Sequence, residues 1–308
     1  MSTINNRTEL LFLFEAENTN PNGDPMNENR PRYDAEDSTA LVSDVRLKRT
    51  IRDYWLEYKG YNGENGKDIF VRETSYEGDK GEKFIVSGKR RAEKFKDSKE
   101  KVLEECLDVR VFGAVLPLKG DSLTFTGPVQ FQMGRSLNKT EVTAEQGTGA
   151  FSSGDGKKQS TFRMEYKLPY ALIGFNGIIN EKAAQYTHMT EEDRALLMEG
   201  IWEGTKNLIS RSKYGQFPLL MVAIHYKDTY QIGSLRQRLQ VKSKEGVAEK
   251  MIRSTEDYTL DVGRLREAIR EVADKIAHVE VRVDNRLQLV DGDEEVKWIS
   301  KNYQANEL

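Results

Sequence analysis

Residues 9–16 read Glu-Leu-Leu-Phe-Leu-Phe-Glu-Ala, and this run is the strongest constraint on the fold. It is short, rich in Leu and Phe, and uninterrupted by polar residues from Leu10 to Phe14, which reads as a buried first strand. Directly after it, Asn18–Pro25 packs three asparagines, an aspartate, a glycine and two prolines into eight residues. Arg30-Pro31-Arg32 extends the irregular stretch. The chain therefore passes at once from a buried strand into a polar, turn-forming loop.

Ser43 is placed to cap a helix over "SDVRLKRTIRDYWLEYK". At 100° per residue, Leu47, Ile51, Tyr54 and Tyr58 share one face, while Lys48, Arg49 and Arg52 fall on another. Residues 60–83, rich in Gly, Asn, Asp and Lys, read as an exposed excursion. The segment 87–108 reads as a second helix with a basic start, and 108–135 as strands bent at Gly127-Pro128. A Gly/Ser/Thr-rich protrusion follows at 138–161, before the sheet resumes at "LIGFNGII". Thr190 and Asp193 have capping-box spacing at the head of another helix. "FPLLMVAIHY" reads as a buried strand. Leu265, Ile269, Val272 and Ile276 mark an amphipathic helix, and "HVEVRVD" a half-buried strand. This interrupted β-α-β-β-α-β order predicts one α+β domain over 1–308, a sandwich of the ferredoxin-like or RNA-recognition kind.

With 47 basic and 50 acidic side chains, the net charge is −3, so any nucleic-acid footprint must be local. A single cysteine, Cys106, excludes an intrachain disulfide framework. No signal pattern is evident and no apolar run approaches the roughly eighteen residues of a membrane span, so a soluble cytoplasmic protein is expected. Phosphate-loop and nucleophile-elbow motifs are missing, and His188, His225 and His278 stand far apart in the sequence. His225, in an apolar strand, reads as a packing residue. No catalytic residue, cofactor or metal site is expected. The Asn18 loop has the alternating oxygens of a calcium loop but fails where charge matters, with Asn18 first, Asn29 twelfth, and Asp24 its one carboxylate among the alternating positions. Two readings remain: a structural turn, or amides and backbone N–H groups that contact sugar and phosphate oxygens. Basic clusters at 46–52, 88–96 and 210–216 stand near the short motifs "GRSLN" and "SRSKYG", where small residues admit a polyanion and Arg supplies phosphate hydrogen bonds.

Taken in order, "NPNGDP", "LVSDVRLKRTIRDYW", "DVRVFGAV", "TGPVQFQMGRSLN" and "ISRSKYGQ" resemble the repeated backbone subunit of type I CRISPR Cascade complexes. Type I-B is most similar and type I-C a neighbour, and the likeness runs from Leu10 to about Lys227. It implies a modified RNA-recognition fold without catalytic activity, with a finger-like insertion at about 60–105 and a β-hairpin thumb within about 130–170. Copies would stack along the guide RNA beside other Cascade subunits and the paired target DNA strand, in antiviral DNA targeting. Guide contact would fall to Asn20, Asn22 and Gly23; to Arg46, Lys48, Arg49 and Arg52; to Arg135, Ser136 and Asn138; and to Arg211 and Lys213. Phe151 and Phe162 are candidates to wedge between nucleotides from the thumb. Relatives in type III complexes cut target RNA with a loop aspartate, so a metal-dependent RNA endonuclease using Asp24 is the alternative.

Overall fold

The computed structural model describes residues 2–77, 82–96, 98–118, 122–152 and 160–308, and of residues 148–152 and 160–163 the backbone alone. The apolar run forms β1 (Thr8–Thr19), and it is uninterrupted because both of its faces are covered. Side chains alternate across a strand. Leu10, Phe12, Phe14 and Ala16 point into one cluster, with Leu47, Ile51 and Trp55 of α1 (Asp44–Tyr58) and Leu197 and Ile201 of α2 (Glu191–Lys206). Leu11 and Leu13 point the other way, to Leu265 and Ile269 of α3 (Gly263–Glu271) and to the segments around Tyr258 and Leu289.

β1 lies between two antiparallel partners, β4 (Ser160–Ile179) and β5 (Gln216–Tyr226), with Phe12 opposite Phe175 on one side and Met221 on the other. Beyond β4 come β2 (Gly134–Ser136) and then Thr39–Val42; beyond β5 come β6 (Ile276–Val283) and Lys301–Tyr303. The sheet has ten strands among the described residues, and the mixture of helices with an antiparallel sheet makes the architecture α+β. β3 (Thr143–Ser152) pairs with the leading half of β4, Thr143 opposite Lys167 and Thr148 opposite Phe162, and so forms a hairpin that leaves the sheet.

The helix caps follow the sequence. Ser43 accepts the amide of Arg46, and Thr190 with Asp193 forms a reciprocal capping box. Tyr58, however, is exposed at the end of α1. Other expectations need correction. Residues 87–108 do not form one helix: Gly88–Glu93, Lys99–Glu105 and Leu107–Phe112 are three short ones, the second restarted by a Ser98 cap. They enclose a separate apolar cluster that includes Phe70, Phe95, Leu103 and Phe125. "DVRVF" is helical although its valines favour a strand, because Asp108 is drawn inward to accept the amides of Phe70 and Val71. For the same reason the excursion at 60–83 is not wholly exposed: Asp68, Ile69 and Phe70 are buried. The last helix stops at Glu271, and Ile276 opens β6. His225 and His278, distant in sequence, face each other across β5 and β6 with ring centroids 4.3 Å apart. Thr8 Oγ1 lies 3.0 Å from His225 Nδ1, and burial pushes His225 down to about 2, so it is a neutral core residue.

Gly134 shows how tightly the sheet is packed beside β4, since a Cβ there would lie 2.5 Å from the buried Phe175 ring. Gly134→Ala is expected to cost about 1–3 kcal/mol of stability through overpacking. An unchanged denaturant midpoint would show that the ring has room to move.

Candidate nucleic-acid interface

One end of β1 gathers segments far apart in sequence. The Glu17 amide donates to Gly215 O at 2.9 Å, the Asn20 amide donates to Ser212 O at 3.0 Å, and Lys213 Nζ donates to the carbonyl of Asn20. Gly215 has φ +111°, and a Cβ would meet the Glu17 carbonyl at 2.5 Å, so only glycine permits this approach. Asn22 Oδ1 accepts the Ser43 amide at 2.7 Å and ties the polar loop to the head of α1.

The loop itself is a closed turn. Gly23–Asp24 pairs with Arg30–Pro31, and Asn18 (φ 48°) and Asn29 (φ 56°) hold left-handed backbone positions that suit asparagine. Its oxygens do not converge on a cation: Asn20 Nδ2 donates to Asn29 O, Asn22 Oδ1 accepts Ser43, and Asp24 faces Arg32 at 3.3 Å. Gly23 is not in a positive-φ conformation; its requirement is space, because a Cβ would lie 2.0 Å from Asn29 Oδ1.

The cations of α1 divide into different roles. Arg52, expected on a solvent face, is 8% exposed, bonds Asp108 at 2.8 Å and lies over the Phe112 ring. Lys48 is largely covered and held by Asp44 at 3.1 Å. Arg49 is exposed and paired with Asp53 at 2.6 Å. Arg46 is half-buried and has no ion-pair partner among the described residues, and burial lowers its pKa. Lys213 is pushed down to about 8 by burial and by the charge of Arg46. Arg211, exposed, bonds Glu165 of β4 at 2.9 Å.

The motif at 134–138 is architectural. Ser136 Oγ accepts the Ala40 amide and donates to Asn138 O, while Asn138 Oδ1 accepts the Leu172 amide at 2.8 Å. Both side chains are buried, as is Asn20, so these three do not present their polar groups on an open surface. Arg135 lies between Asp34 and Asp37. Phe151 and Phe162 occupy the hairpin strands, but their side chains, like residues 153–159, lie outside the described residues.

Sequence patterning missed Arg30 and Tyr166. The Arg30 guanidinium lies 4.3 Å over the Tyr166 ring and bonds its hydroxyl at 3.0 Å, joining the loop to the base of the hairpin. A cleft of about 700 Å³ opens there, lined by Arg30, Arg32, Tyr33, Met133, Val142 and Tyr166. The one signal was the Arg-Pro-Arg triplet, whose stacking partner is more than a hundred residues away.

The family model "CRISPR-associated protein Cas7" matches residues 6–263. The chain belongs to the Cas7 family. A Haloferax volcanii protein described as CRISPR-associated protein Cas7 is 33% identical over 324 aligned positions, covering 96% of this chain and 92% of that one. The fold is similar to a chain of a "CRISPR RNA-guided surveillance complex, pre-nicking" (TM-score 0.53, 11% identity, 92% of this chain and 96% of that one). It is also similar to a chain of a "CRISPR RNA-guided surveillance complex" (TM-score 0.53, 14% identity, 91% and 90%).

The division among the α1 cations is testable without RNA. Arg52→Met strands the buried Asp108 carboxylate and should cost about 3–5 kcal/mol. Arg49→Ala removes an exposed pair and should change stability by less than about 1 kcal/mol. Thermal melts showing equal losses for the two would contradict this assignment.

Proposed function

We propose that this Cas7-family chain is a non-catalytic RNA-binding backbone subunit of a type I Cascade. Several copies would stack along a CRISPR guide RNA in the cytoplasm, beside other Cascade subunits and the paired target DNA strand, and serve antiviral DNA targeting. The observation that carries the reading is the meeting of four segments at one end of β1. These are the asparagine loop, the head of α1, residues 210–215 and the base of the hairpin, with Arg46 and Lys213 left without carboxylate partners among the described residues.

The strand order supports an RNA-recognition type of fold. Along the chain β1, α1, β2, β4, α2 and β5 follow one another, and in space the strands run β5-β1-β4-β2, the order of a split β-α-β pair. Both faces of this sheet are covered, so the RNA track would run across strand ends and leave the sheet faces out of it. Such a track grips phosphates and sugars and leaves base edges free, which a guide of any sequence requires.

In this reading Arg46, Arg49, Arg211 and Lys213 meet phosphates, with Lys48 and Arg135 available once their carboxylates let go. Asn20, Asn22, Gly23, Ser136 and Asn138 shape the backbone that carries them, and Arg52 holds the helix in place. The hairpin within 130–170 is the thumb, with Phe151 or Phe162 as its wedge. The cluster around Phe70 and Phe95 is the core of the finger, whose boundary extends past 105 to Phe125. Asp24 already faces Arg32, which does not favour a nuclease.

Arg46→Gln with Arg211→Gln should weaken binding of unrelated RNA sequences alike and flatten the salt dependence by about 0.7 for each phosphate no longer neutralised. An unchanged affinity and slope would place the track elsewhere. Magnesium-dependent RNA cleavage that Asp24→Asn abolishes would overturn the non-catalytic reading.

A further inference from the structure

Lys213 occupies an unusual position. It sits half-buried in the loop after α2, its Nζ committed to the Asn20 carbonyl. From α1 it faces Arg46, a like charge that itself feels Asp53 and Arg49 of the same helix. From β1 the neighbouring acid is Glu17, whose side chain is exposed and whose amide bonds Gly215. From the hairpin base comes Glu165, already held by Arg211 at 2.9 Å and Lys167 at 3.6 Å. Neither Lys213 nor Arg46 has an ion pair among the described residues. Asn20 Oδ1, buried beside them, has no hydrogen-bond partner among the described residues either. Covered charges are ordinarily paired, and here two neighbouring cations lack a carboxylate at ion-pair distance among the described residues, Asp53 acting on Arg46 only from farther off.

Resting on the RNA-binding reading above, we propose that an RNA phosphate held between Arg46 and Lys213 draws a proton onto Lys213, so that guide loading by each copy is linked to pH. The phosphate supplies an anion in direct contact with both, and the proton comes from solvent. The sign follows from the free protein. Burial and Arg46 hold Lys213 at about 8, well under its usual 10.5, and an adjacent anion raises it again. Affinity is therefore full below about pH 7 and falls close to tenfold per unit above 8. Between pH 7 and 9.5 the loss per site is roughly 25-fold if the bound lysine regains its usual value.

The test uses the full chain and a short unstructured RNA at constant ionic strength, from pH 7 to 9.5. The parent should lose roughly 25-fold in affinity. Lys213→Arg, whatever its absolute affinity, should give a flat profile, because arginine stays protonated throughout. Calorimetry of the parent at pH 8.5, in two buffers of different ionisation enthalpy, should show uptake of about three-quarters of a proton per site. Tight binding by the parent with a flat profile and no proton uptake overturns the linkage while leaving the RNA-binding function intact. A parental slope kept in Lys213→Arg overturns it as well, since another group then titrates. No RNA binding by the parent at pH 7 sinks the functional reading itself.

Discussion

β1 is closed in on four sides. β4 and β5 occupy both hydrogen-bonding edges, while two separate apolar clusters take its alternate side chains. The asparagine loop, the head of α1 and residues 210–215 all meet at its far end. The strand cannot slip by one residue, because a slip would exchange the two sets of side chains between clusters of different shape. That fixed register makes Thr19 and Asn20 a dependable point from which the loops after β1 and α2 are measured.

The charged interior of the strand adds to this fixation. Glu9 is buried and accepts Tyr226 Oη at 2.5 Å and the amides of Ile232 and Gly233 at 2.6 and 2.8 Å. Near the other end, Glu15 meets Arg286 at 2.7 Å, and burial still raises its pKa. Each carboxylate ties a later segment to the central strand, one before α3 and one after β6. Arg46 and Lys213 at the loop end, by contrast, have no ion-pair partner among the described residues.

The sequence revealed what neighbouring residues decide among themselves. The apolar run of β1, the Ser43 cap, the capping box at Thr190 and Asp193, and the buried strand β5 are all local patterns, and each was legible. Partners across the fold were not. Helical spacing put Arg52 off the apolar face, but Asp108, 56 residues away, turns that position inward. The Ser and Asn of the 134–138 motif stood out as polar residues among small ones, which fits either an anion contact or a backbone clamp. Only the positions of Ala40 and Leu172 decide for the clamp. The valines of "DVRVF" suggested a strand until the buried carboxylate of Asp108 overrode their propensity. The segment from Phe70 to Phe125 was hardest to read, because its short helices are held by a cluster that no single window of sequence contains.

β4 has a mechanical consequence. It is one strand of 20 residues, paired with β3 over its leading half and with β1 over its trailing half. At about 3.3 Å per residue it is a rod of roughly 65 Å, its pairing with β3 in regular register from Thr143 to Thr148 and shifted only beyond. The hairpin is thus a cantilever rooted beside Phe12 and Phe14, braced near its base by the Arg30–Tyr166 stack. A push on its outer part is felt as bending of the central sheet, so its reach is set by the stiffness of the core.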